Sequence, residues 1–89
     1  MTGPAALGKR YYAVEMFMYI PNGPFPTASK RVGHDFPSLE EARSWCARKL
    51  AADRRARWFE ITEWISATRA SVATNRWSVD RATFGLPER

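Results

Sequence analysis

From Tyr11 to Ile20 the chain alternates in a way that leaves neither side polar. Tyr12, Val14, Met16, Met18 and Ile20 fall on one face, and Tyr11, Ala13, Phe17 and Tyr19 on the other, with Glu15 the single charge. Aromatic and branched residues at period two mark a strand. A strand apolar on both sides must be covered on both sides, or must leave one side as a partner surface. How much cover the rest of the chain can supply therefore decides the architecture.

Only one segment is patterned as a helix. Ser38-Leu39-Glu40-Glu41 is a capping box, in which the Ser38 hydroxyl can accept from the amide three residues on while Glu41 reaches back. Leu39, Ala42, Cys46, Lys49 and Leu50 then form a stripe with Trp45 at its margin, which carries the helix to about Asp53 and leaves Arg43 and Arg48 toward solvent. Acidic Glu40 and Glu41 at the start and cations near the end both suit the helix dipole.

The flanking segments read as strands. Pro21, Pro24 and Pro26 stop the first one, and Asn22-Gly23 offers a turn. Ala28 to Asp35 is a weaker strand, with Val32 on the side of Lys30 and His34, as at a sheet edge. Arg57 to Ile65 puts Phe59, Ile61 and Ile65 on one side and Trp58, Glu60, Thr62 and Trp64 on the other. Glu63 falls on the apolar side, which implies either a frayed end or a bulge near Thr62 that turns Trp64 inward. Ser66 to Thr74 is small and polar, a loop or a short helical turn, and Asn75 to Arg81 is a last strand with Trp77 and Val79 inward.

The expected fold class is α+β. Residues 10–82 form one domain of order β-β-α-β-β between a tail at 1–9 and a tail at 83–89, and 89 residues leave room for a single core. The simplest assembly is a four-stranded, mostly antiparallel sheet with one helix packed on one face. A right-handed crossover through the helix joins the second and third strands if they are parallel neighbours or near neighbours. One helix covers one face. The other, with Tyr11, Phe17, Tyr19, Trp58 and Trp64 around Glu15, Glu60 and Arg76, has no evident cover.

Catalytic chemistry has little to stand on. Cys46 is the only cysteine, so no internal disulfide forms, and with His34 it is the only pair resembling a thiol nucleophile and its base. A thiol on the buried stripe of a helix behaves as a small hydrophobe. One His and one Cys cannot build a four-ligand zinc site, and the chain has no Gly-rich phosphate loop, GxSxG or HExxH. The expectation is a non-enzyme without cofactor or metal.

Charge points weakly to nucleic acid. The balance of 14 Lys+Arg against 9 Asp+Glu gives +5, but 11 of the cations are Arg and Ala is abundant, a joint bias that GC-rich coding also produces. Arg54, Arg55 and Arg57 with Arg43 and Arg48 are the possible phosphate contacts, and as a charge run at a helix end they also fit plain solvation. Glu15 and Glu60 among the aromatics would repel a phosphate backbone. Met1 to Lys9 has no apolar signal core, and the run Met16 to Ile20 is far short of the roughly 20 residues that span a bilayer. The expected setting is the cytoplasm of a bacterium-like cell, away from membrane. The leading expectation is a protein-interaction or self-association module whose contacts are Tyr11, Phe17, Tyr19, Trp58 and Trp64. A nucleic-acid-binding accessory protein is the alternative. Phe25, between two prolines, reads equally as a partner anchor or as a cap on the sheet end.

Overall fold

A computed structural model of the chain describes residues 9–19, 27–66 and 70–87. Phe25, the residue 1–8 part of the N-terminal tail and the side chain of Tyr19 lie outside the described part. Four strands, β1 (Arg10–Tyr19), β2 (Thr27–Arg31), β3 (Ala56–Ser66) and β4 (Ser71–Asp80), form one sheet in the order β2-β1-β3-β4. Every neighbouring pair is antiparallel. One helix, α1 (Leu39–Ala52), joins β2 to β3, and a short 3-10 turn, Ala82–Phe84, follows β4. The expected α+β order and four-stranded sheet are therefore found. Because β1 is antiparallel to both β2 and β3, those two run parallel with β1 between them, so the link through α1 joins near neighbours.

The helix begins where its cap says it should. Ser38 is extended and its hydroxyl oxygen accepts from the Glu41 N–H at 3.1 Å. The Glu41 carboxylate accepts from the same hydroxyl at 3.4 Å, closing the box through side chains. At the other end the Asp53 N–H bonds the Lys49 carbonyl at 2.8 Å. Ala42, Cys46 and Leu50 are wholly buried on the stripe that faces the sheet.

The core is the layer between α1 and one face of the sheet. Tyr12, Val14 and Met16 from β1, Phe59 and Ile61 from β3, and Val79 from β4 pack against that stripe. Trp45 at the helix margin meets Phe59 edge-on, with centroids 5.7 Å apart and planes at 86°, and also touches Phe36. Phe36 is held by a two-bond bridge to Tyr12, at 2.8 and 2.9 Å, which pins the segment entering the helix against β1. Phe84 and Leu86, in the stretch expected as a tail, pack on the core edge. Gly85 makes their turn possible, since its φ of 68° lies in the left-handed region that a side chain disfavours.

Two bulges adjust the alternation. In β3, Arg57 is the extra residue where Trp58 opposes Phe17 but Ala56 opposes Met18. Ala56 and Phe59, three apart, thus both point inward and are both buried. In β4 the register shifts again, so that Glu63 opposes Asn75 and Trp64 opposes Ala73, with Thr74 extra. The last strand starts earlier than its sequence suggests. Ser71 to Thr74, expected as loop or helical turn, is strand. These residues lack apolar alternation because β4 is an edge and they are exposed, so burial never imposed a pattern on them. The second strand is correspondingly shorter than expected, ending at Arg31.

Candidate functional site

The sheet face away from α1 is ordered by register into four cross-strand rows. Tyr11 opposes Trp64, Ala13 opposes Thr62, Glu15 opposes Glu60, and Phe17 opposes Trp58. Aromatic pairs thus bracket one small pair and one acidic pair. The Phe17 and Trp58 rings lie 4.7 Å apart with planes within 3°, and Tyr11 stacks on Trp64 at 6.5 Å and 13°. Such stacks fix the rings in place and leave their outer surfaces free. All four are half-buried, and no described element lies across them. The Tyr11 hydroxyl also bonds the Ser71 hydroxyl at 2.9 Å, tying the end of the face to β4.

The charges in the middle are unevenly paired. Arg76 on β4 reaches Glu60 at 3.5 Å. Arg31 on β2 opposes Glu15 in register, yet its guanidinium bonds the Asp35 carboxylate at 3.3 Å instead. Like charges directly across a strand pair repel, so Glu15 beside Glu60 is a local cost at the centre of the face. Trp64, Ala13 and Thr62 line a depression of about 180 Å3 together with two carboxylates, Glu15 and Glu60, and two guanidiniums, Arg31 and Arg76.

Of the five expected aromatic contacts the structure brings four together, Tyr11, Phe17, Trp58 and Trp64, and Tyr19 continues the same strand. The five arginines expected at phosphate have different immediate partners. Arg43 lies over the Phe84 ring at 5.3 Å, beside the groove formed with Leu39, Ser44 and Ala47. Arg48 sits by Phe36 and Glu41 on another flank of the helix. Arg55 bonds the Asp53 carboxylate at 3.3 and 3.4 Å. Together with the Arg55 N–H, this holds Asp53 down at about 2. Arg54 is exposed in the turn after the helix, and Arg57 is the exposed bulge residue of β3.

One polar cluster was legible only as an anomaly. Glu63 neither frays nor swaps faces with Trp64; it stays on the inner face and is buried, 6% exposed. The Tyr12 hydroxyl donates to its carboxylate at 2.6 Å, Thr74 at 2.7 Å and the Asn75 amide at 2.9 Å. The bulge makes this possible by aiming Thr74 and Asn75 at one acceptor. Those three donors hold the Glu63 carboxyl down at about 2, and the bond to Glu63, with burial, pushes the Tyr12 phenol up. Donors of this kind stabilise a fixed charge, which is a structural task. Cys46 is wholly buried, and burial pushes its thiol up to about 12, so it carries almost no thiolate at neutral pH. His34 is exposed against Phe36 and Trp45. Among the described residues no three His, Cys, Asp or Glu side chains are grouped to hold a metal ion, and no helix is long and apolar enough to cross a membrane. No family model, curated protein or solved structure matches this chain.

Proposed function

We propose that the chain is a non-catalytic interaction module that engages another polypeptide through the open face of its sheet. The observation that carries this is the four-ring face itself. Tyr11, Trp64, Phe17 and Trp58 are stacked in pairs, half exposed and uncovered by any described element, while the opposite face has its own helix. Aromatic anchors of this kind dominate binding energy at protein interfaces, because rigid rings bury much area at small entropic cost. Acidic Glu15 and Glu60 in the midst of the rings favour a polypeptide over a nucleic-acid backbone.

The test is association measured on variants that keep the fold. Light scattering across concentration, at low and high salt, first reports whether the occupant is a second copy. Trp58→Ala and Trp64→Ala should each weaken association by more than about 1 kcal/mol. Association unchanged in both, with the fold intact, removes the rings from the interface and ends the proposal. Binding to an oligonucleotide that falls steeply with salt and is lost on replacing Arg54 and Arg55 would favour the nucleic-acid reading instead.

A further inference from the structure

Resting on the docking face proposed above, we infer that its occupant is a second copy of this chain, packed face to face about a two-fold axis that crosses the strands between the Ala13–Thr62 row and the Glu15–Glu60 row. The cross-strand register carries the argument. From one end the rows run Tyr11–Trp64, Ala13–Thr62, Glu15–Glu60 and Phe17–Trp58, which is bulky, small, acidic, bulky. Rotation about that axis exchanges the two outer rows with each other and the two inner rows with each other. Rings then meet rings at both ends, and the glutamates of each copy enter the hollow that Ala13 and Thr62 leave in the other. A surface that fits itself in this way is what an isologous two-fold interface requires. An axis along the strands would instead set Glu15 over Glu60 and small row over small row, which fails in charge and in size.

Charge agrees with shape. The hollow is lined by Glu15, Glu60, Arg31 and Arg76, so each copy brings two carboxylates, two guanidiniums and no net charge to the centre. Arg76 opposes Thr62 in register and lies 3.5 Å from Glu60, with its side chain 66% exposed. Because the rotation exchanges the Thr62 and Glu60 rows, Arg76 of one copy arrives beside Glu60 of the other, and the ion pair within each chain extends across the interface. A face ten residues long at about 3.4 Å per residue, and between three and four strands wide at about 4.8 Å, hides about 1,100 Å2 in total between two copies. That is just above the roughly 1,000 Å2 that a specific interface needs, so the dimer dissociates on dilution. The net charge of +5 opposes self-association at long range, but at physiological salt that field is screened beyond about 8 Å.

The test is sedimentation equilibrium of the full-length protein at physiological salt, with Glu60→Arg and Arg76→Glu measured apart and then mixed in equal amounts. The unaltered chain should dimerise. Each variant alone sets like charges against each other at two symmetric contacts and should weaken the dimer by about tenfold or more. The mixture should recover it, because in the mixed pair both contacts again join opposite charges, which an ion pair confined to one chain cannot do. Arg76→Glu also lowers the charge of each copy by two, so an association governed by net charge alone would tighten where this one weakens. If either reversal fails to fold, Glu60→Gln or Arg76→Gln, which add no charge, should still weaken the dimer by about threefold. A monomer up to millimolar concentration would overturn the second copy as occupant and leave the open face to a different polypeptide. A dimer that Trp58→Ala weakens but that mixing does not recover would overturn this arrangement and keep the docking face. A dimer indifferent to both Trp58→Ala and Trp64→Ala would remove the two readings together.

Discussion

Phe59 and Trp58 are neighbours on β3 and point to opposite faces, so the same truncation at each separates what holds the fold from what the fold presents. Phe59 is 0% exposed, packed edge-on by Trp45 and enclosed by α1. Phe59→Ala should cost about 3–5 kcal/mol through lost transfer energy and the cavity left behind. A domain of this size has on the order of 4–13 kcal/mol to lose, at roughly 0.05–0.15 kcal/mol per residue. Trp58 gives up mainly its stack on Phe17, about 0.5–1.5 kcal/mol, because its outer surface faces water before and after folding. Urea unfolding at neutral pH should therefore place the two variants about 1.5 kcal/mol or more apart, with similar slopes. Association should show the reverse order, with Trp58→Ala the damaging change. If Phe59→Ala does not fold, Phe59→Leu, which keeps most of the volume, should still cost stability and spare association. Equal stability costs for Phe59→Ala and Trp58→Ala would refute the assignment of one covered and one open face.

Two further outcomes follow from the buried carboxylate and the helix cap. Glu63 keeps its charge to about pH 2 in the folded protein but takes a proton near 4.5 when unfolded, so its stabilisation is complete above about 4.5 and is lost as pH falls toward 2. Tyr12→Phe removes one donor and raises the folded value, so the variant should be less stable at neutral pH, with a gap that narrows as pH falls toward 2; a gap in urea midpoints still undiminished at pH 2 would count against that role. Ser38→Ala should cost about 1 kcal/mol, or roughly 4–8 °C in Tm, because the Glu41 N–H loses its acceptor. A thermal scan showing no change would mean that solvent caps the helix equally well.

The candidate site was legible in the sequence to the extent that it rests on alternation. Tyr11, Phe17, Trp58 and Trp64 share a face because period two says so within each strand, and the structure puts those strands side by side. What could not be read was which residue sits across from which. That Glu15 meets Glu60, and that the small residues Ala13 and Thr62 meet beside them, depends on a register between segments some forty-five residues apart in the chain. The dispersal of Arg43 and Arg48 also follows from geometry, since five residues along a helix turn a side chain to another flank.

The sequence by itself determined the elements whose signals are local: the twofold alternation of β1 and β3, the start of α1 at Ser38, and the shortage of cover implied by a single helix. Only the tertiary structure decided the fate of Glu63. A carboxylate on an apolar face is tolerable where donors converge on it, and Tyr12, Thr74 and Asn75 converge only once three strands are paired and a bulge has shifted β4. The same holds for Arg31, which opposes Glu15 in register but bonds Asp35, four residues on. Local patterns set which way a side chain points, because backbone geometry alone fixes that. Which charges and donors it meets there is set by strands distant in sequence, and that is a property of the assembled sheet.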